Sequence, residues 1–270
     1  MRSALPILQS LERSESQSVF NRYPRSLMGS PAPPEIMSGE SPEAVMLWAH
    51  SKFPRLALVA SLQAESSVLI DMASRAGIGV RVITLDTGRL PQETHDMIDR
   101  VRDRYRISVD VIVPDAADVK QLVHEHGTNP FYRSPDLRRL CCEVRKSRPL
   151  AGALIGFDAW LTGVRRQQAS TRSETQVVAE DLEHPGLTKV APLAAWSKDQ
   201  VWSYIHEHDV PYHSLYDRGY TSIGCAPCTR ATSAGEDERA GRWWWENDEV
   251  KECGLHWTPD NRPLPIVHHE

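Results

Sequence analysis

Short apolar runs alternate with amphipathic stretches through the first half of the chain. Arg55-Leu56-Ala57-Leu58-Val59-Ala60 reads as a short buried strand. Glu65 to Ala76 carries helical spacing and ends at Gly77. Val80 to Leu85 is a second strand, Pro91 to Tyr105 a second helix, Val109 to Val113 a third strand, and about Ala116 to His126 a third helix. Ahead of them Ser41 is placed to cap a helix that starts at Pro42, with Ala44, Val45, Leu47 and Trp48 as its apolar face. The βαβαβα order predicts a parallel sheet with helices on both faces and right-handed crossovers. Ligands of such sheets bind beyond the C-terminal strand ends. Ser61-Leu62-Gln63-Ala64-Glu65-Ser66 and Asp86-Thr87-Gly88-Arg89 occupy those positions.

The second half is less regular. One helix is expected from Pro135 past Leu150, carrying Cys141 and Cys142. Trp160 to Val164 and Lys189 to Leu193 read as strands, and Ser197-Lys198-Asp199 caps a helix reaching His208. Beyond Pro211 the pattern is irregular, with Trp243-Trp244-Trp245 expected in a helical segment. Residues 1–40 are rich in Ser, Pro and Arg without a sustained period and read as a partly disordered extension. A single α/β domain is expected over 41–235, followed by a C-terminal segment over 236–270.

Composition narrows the class. A chain of 270 residues is long enough for one α/β domain with a sizeable core. The formal charge of −5 gives no support for general nucleic-acid binding, which needs a basic face. No apolar run approaches the ~18 residues of a membrane span. No signal-peptide core opens the chain, so a cytoplasmic protein is expected. Five cysteines in a reducing compartment point to metal binding or catalysis rather than to disulfides. Locally the charge is basic: Arg165, Arg166, Arg172, Arg230, Arg239 and Arg242 suit a small anion, because guanidinium forks match phosphate and sulfate oxygens.

The loop Ser61 to Ser66 is not glycine-rich and cannot wrap a triphosphate, but it can offer hydroxyls and N–H groups to one phosphate. Gly88 frees the second loop for close approach. Cys141-Cys142 and Cys225-Ala226-Pro227-Cys228 supply four thiols, which suit either a [4Fe–4S] cluster or a Cys₄ zinc site. Structural zinc usually takes two C-x-x-C knuckles, so the adjacent pair favours iron–sulfur. Lys146 stands four residues after Cys142, on the same face of a regular helix. Cys253 is left over, beside Lys251, Glu252, Gly254 and His256. A thiol that acts as a nucleophile must be a thiolate, and a nearby cation lowers its pKa.

Several stretches together resemble one family. They are Cys141-Cys142-Glu143-Val144-Arg145-Lys146 with Pro149-Leu150, Gly163-Val164-Arg165-Arg166 with Gln168, Ser222 to Arg230, Arg239 to Glu246, and Lys251-Glu252-Cys253-Gly254-Leu255-His256. From about residue 41 to 258 the chain resembles the thioredoxin-dependent, iron–sulfur assimilatory adenylylsulfate (APS) reductases. The resemblance implies a Rossmann-like adenine-nucleotide α-hydrolase fold with a flexible C-terminal segment, and one [4Fe–4S] cluster on Cys141, Cys142, Cys225 and Cys228. It implies Cys253 as nucleophile on the sulfur of adenosine 5′-phosphosulfate, an S-sulfonate intermediate, and release of sulfite by thioredoxin. Ser61, Leu85 and Thr87 would hold the adenosine or its phosphate. Gly163, Arg165 and Arg172 would line the nucleotide site, and Lys146, Arg239, Arg242 and His256 would surround the phosphosulfate. A homo-oligomer is expected, with neither nucleic acid nor membrane as partner. Two positions depart from the pattern. Ser66 stands where an acidic residue is usual, and Arg172 comes one residue early.

The nearest rival is a 3′-phosphoadenylylsulfate (PAPS) reductase or an enzyme of dual specificity; the two cysteine pairs favour APS. A tRNA-thiolating enzyme would need a glycine-rich ATP loop and a basic surface. A zinc-stabilised binding protein is the non-enzymatic alternative.

Overall fold

The computed structural model describes residues 39–246 and residue 252, all within one unit spanning 31–270. Ser41 accepts from the Ala44 N–H and starts α1 (Pro42–Lys52), as the sequence predicts. Then come β1 (Leu56–Val59), α2 (Ala64–Arg75), β2 (Arg81–Leu85), α3 (Gln92–Tyr105), β3 (Val109–Ile112) and α4 (Ala116–His126). These match the expected order within one or two residues at each end, the usual uncertainty of element boundaries.

The remaining elements are α5 (Pro135–Cys142), α6 (Arg148–Ala153), β4 (Ala159–Leu161), β5 (Val178–Glu180), β6 (Thr188–Val190) and α7 (Lys198–Glu207). Ser197 and Gln200 form a reciprocal capping box at the start of α7. The six strands run in the order β3-β2-β1-β4-β6-β5; β1 pairs in parallel with both β2 and β4. The chain winds outward from β1 through β2 and β3, then resumes on the other side at β4. The junction of β1 and β4 is therefore the switch point of the sheet, where crossovers diverge and leave a crevice. Strand side chains alternate between faces. Leu58 joins the core of α1, α2 and α7, whereas its neighbour Ala57 joins Leu150 of α6 and Leu154 just after it on the other face.

Three expectations are corrected. The strand β5 is antiparallel to β6 and gave no signal, because three residues, none of them buried, show no period. The helix expected from Pro135 past Leu150 is interrupted by a π-helical turn, Glu143–Ser147, in which the Arg148 N–H donates to the Glu143 carbonyl. Pro149 explains it: proline has no N–H for the Arg145 carbonyl, and its ring would collide with that carbonyl in a regular helix. Trp243-Trp244-Trp245 is not helical. Arg242 is bridged to Thr229, the Trp243 N–H donates to the Cys228 carbonyl, and Trp243 has φ +45°. No described helix is long and apolar enough to cross a membrane.

Candidate active site

The crevice at the switch point is a cavity lined from the ends of β1, β2 and β4. After β1 the chain turns through Leu62, which has φ +57° and is wholly buried. A left-handed conformation is uncommon for a non-glycine residue and is held here by burial of the side chain. The turn leaves Ser61 and Gln63 on the cavity wall. The Ile223 N–H donates to Gln63 Oε1 at 2.7 Å, tying this loop to the segment that precedes Cys225. After β2, Leu85 and Thr87 line the cavity, and Gly88 takes φ +69°. After β4, Gly163 lies so close to α2 that a Cβ would come within 2.8 Å of Glu65 Cβ.

The cations expected around an anionic group are distributed unequally. Lys146, Arg172, Arg239 and Arg242 line the cavity. Arg242 lies flat on the Gly224 backbone, where a Cβ would overlap its guanidinium, and Arg242 Nη1 donates to the Ile223 carbonyl at 3.3 Å. Arg165 is not among the lining residues. It is only 1% exposed, its Nε donates to Glu65 Oε1 at 2.8 Å, and its Nη2 donates to both oxygens of Glu238. Burial opposes its charge, but the two carboxylates outweigh burial and hold the guanidinium above its ordinary pKa. Arg165 thus supports two carboxylates, Glu65 and Glu238, that themselves face the cavity. Arg230 pairs with Glu236, and Arg166 Nε donates to the Thr175 carbonyl.

Arg172 meets the carboxylate of Glu252 through Nε at 2.8 Å and Nη2 at 2.9 Å, and its Nη1 donates to Gln168 Oε1. Glu65, Glu238, Gln168 and Glu252 were not singled out from the sequence. Glu65, Gln168 and Glu252 do sit inside quoted stretches, and only their long-range partners show what they hold. Cys253 and His256, expected as nucleophile and substrate contact, and Lys251 beside them, lie outside the described residues.

A second cavity lies against the first. Cys141, Cys142, Cys225 and Cys228 line it, with Arg89, Arg145 and Lys146 around them. None of the four thiols is in a disulfide. Burial raises the pKa of Cys141 and pushes Cys228 up to about 12. The surrounding guanidinium and ammonium groups oppose that shift and would favour an anionic occupant. Among the described residues no group has the spacing to grip a single metal ion. Four thiols beside cations are a donor set that suits either an iron–sulfur cluster or a zinc ion. Lys146 borders both cavities.

Known proteins are similar to this chain. Residues 55–231 match the family described as phosphoadenosine phosphosulfate reductase domain. The adenosine 5′-phosphosulfate reductase of Allochromatium vinosum is 48% identical over 196 residues, covering 73% of this chain and 76% of the relative. That of Burkholderia cepacia is 45% identical over 223 residues, covering 83% and 88%. Among solved structures, a phosphoadenylyl-sulfate reductase from Candida auris in complex with phosphate superposes with a TM-score of 0.63 at 30% identity, over 73% of this chain and 94% of that one. Candida glabrata FMN adenylyltransferase with FAD and pyrophosphate, at 13% identity and a TM-score of 0.53 over 83% and 77%, shares the fold. On the length of these matches, the chain belongs to the phosphoadenosine phosphosulfate reductase family.

Proposed function

We propose that this protein reduces adenosine 5′-phosphosulfate to sulfite and AMP, with Cys253 as nucleophile and reduced thioredoxin as electron donor, in sulfate assimilation. The observation that carries the reading is the pair of adjoining cavities: a strand-end crevice with four cations, and a thiol-lined space sharing Lys146 with it. In the crevice Ser61, Leu85, Thr87 and Gly163 face the nucleotide, while Lys146, Arg172, Arg239 and Arg242 offset the charge of the phosphosulfate and of the departing AMP. The Cys253 thiolate attacks the sulfate sulfur. A sulfur–sulfur bond forms, the bond from sulfur to the bridging oxygen breaks, and AMP leaves with that electron pair. A thioredoxin thiolate then displaces sulfite from the adduct, and its second thiol resolves the mixed disulfide, so that thioredoxin is oxidised and Cys253 returns as a thiol.

The four thiols and their cations fit a [4Fe–4S] cluster on Cys141, Cys142, Cys225 and Cys228. When bound, it would supply a fixed local charge beside Lys146. Four neighbouring thiols without a disulfide also suit a reducing compartment such as the cytoplasm. A homo-oligomer rests on the family resemblance alone and is read by light scattering.

The test is to incubate anaerobically purified protein with adenosine 5′-phosphosulfate and no thioredoxin, then measure intact mass and map peptides. One added sulfonate on the Cys253 peptide, released as sulfite by reduced thioredoxin, is expected. Cluster-loaded protein that gains no adduct overturns the reading for this substrate. The same incubation with the 3′-phosphorylated nucleotide reports on dual specificity.

A further inference from the structure

Glu252 is 0% exposed although it carries a charge. A carboxylate at that depth is tolerated only when paired and hydrogen-bonded. Its partners come from one short turn and from one residue further along the chain. Arg172 grips both oxygens, the Thr171 hydroxyl donates to Oε1 at 3.1 Å, and Arg239 Nη2 reaches Oε2 at 3.3 Å. The main chain of the same residue is held from another direction. Arg138 Nη1 donates to the Glu252 carbonyl at 2.6 Å. Arg138 is itself fully buried, is fixed by two bonds to the Glu246 carboxylate, and lies 4.4 Å from the centre of the Trp243 ring.

One residue is thus fastened by its side chain to two cations of the nucleotide cavity and by its backbone to α5, the helix that ends in Cys141 and Cys142. Cys253 follows Glu252 directly in the sequence, and both the side chain and the carbonyl of Glu252 are held. We infer that Glu252 is a positioning residue for Cys253: its ion pair with Arg172 and Arg239 sets where the thiol sits relative to the bound sulfate group. This rests on the proposed role of Cys253. It adds that delivery of the thiol is governed by a carboxylate that touches neither the nucleotide nor the reacting atoms. Arg172 then acts in two ways, lining the crevice and anchoring the segment that carries the thiol.

The experiment compares wild type with Glu252→Gln and Glu252→Asp in cluster-loaded full-length protein. It has three readouts: the rate of S-sulfonate formation on Cys253, the rate of Cys253 alkylation by iodoacetamide, and the affinity for AMP. A misplaced reacting group loses on the order of 10²-fold in rate. Glu252→Gln is therefore expected to slow adduct formation by about that factor and to speed alkylation of Cys253. Affinity for AMP is expected to stay within about twofold of wild type, as for a residue outside the nucleotide contacts. Glu252→Asp, which keeps the charge, is expected to recover most of both rates. Unchanged adduct formation and unchanged alkylation in Glu252→Gln overturn the inference. So does a large gain in AMP affinity with unchanged alkylation, which would make Glu252 a competitor for the anion site. If Glu252→Gln does not fold, Thr171→Val, which removes one donor to the carboxylate, decides: faster alkylation of Cys253 supports the clamp, and unchanged alkylation overturns it. If wild type itself forms no adduct, the proposed chemistry fails, while the alkylation rates still report on the clamp.

Discussion

The Thr87 hydroxyl lies 3.2 Å from the Cys225 sulfur, and the Thr87 carbonyl accepts from Arg145 Nη1 at 2.7 Å. One residue at the end of β2 therefore faces the nucleotide crevice while touching both the cysteine loop and the π-helical turn. The Arg89 carbonyl adds a third tie by accepting from the Ala226 N–H at 2.8 Å.

Replacing Thr87 by Val keeps the shape but removes the hydroxyl, leaving the Arg89 N–H without its 3.2 Å acceptor. A lost buried hydrogen bond costs about 1–2 kcal/mol. Thr87→Val should lower the urea midpoint accordingly, and Thr87→Ser should restore most of it. Equal stability of the Val and Ser variants would show that the hydroxyl holds nothing.

Gly224→Ala should leave the fold intact and weaken anion binding. The three atoms nearest the added methyl all belong to the end of a flexible side chain, the Arg242 guanidinium, which must leave the crevice wall. Losing one charge-assisted contact corresponds to about tenfold or more in affinity. Calorimetric titration with AMP against an unchanged thermal midpoint checks it. Wild-type affinity with the methyl present would mean that Arg242 does not contact the nucleotide.

Arg165→Met should be among the most damaging single changes outside the cysteines. It would strand Glu65 and Glu238, and burial already raises the pKa of Glu238 despite the guanidinium beside it. Removing one partner of a buried ion pair costs about 3–5 kcal/mol. Denaturant unfolding of Arg165→Met and Arg165→Lys measures this, with lysine expected to recover only part because it cannot fork between two carboxylates.

His213 predicts an acid-sensitive component of stability. It is fully buried; Nδ1 accepts from the Leu215 N–H at 3.2 Å, so Nε2 carries the proton and lies 3.0 Å from the Thr94 hydroxyl. Burial pushes its pKa down to about 4. The unfolded chain binds this proton below about pH 6.5 and the folded chain does not until about pH 4. The associated stability is therefore complete above pH 6.5 and lost as pH falls through that window. The loss amounts to roughly 3 kcal/mol. His213→Asn should flatten the difference between urea midpoints at pH 7.5 and pH 5. An identical pH slope in the variant would assign the acid sensitivity elsewhere.

The sequence made most of the sheet legible, because β1 to β3 are short, mostly apolar stretches of four or five residues separated by amphipathic helices with clear ends. It could not reveal the π-helical turn by apolar period, since the turn turns on a missing N–H at Pro149. The crevice was legible from strand ends alone: Ser61, Leu85 and Thr87 face it because the parallel topology leaves them there. The counter-ions were not. Arg165 pairs with Glu65 across 100 residues and Arg172 with Glu252 across 80, distances at which no local pattern survives. Cys253 and His256 lie outside the described residues, so their part in the site stands on the sequence.

Lys146 borders both cavities, and Thr87, which lines the crevice, touches the Cys225 sulfur that lines the other. Coulomb interactions between such neighbours depend on what fills either space, because water screens far more strongly than packed matter. An occupant that displaced water from the crevice would therefore change the screening between Lys146 and the sulfurs it borders, with no helix having to move.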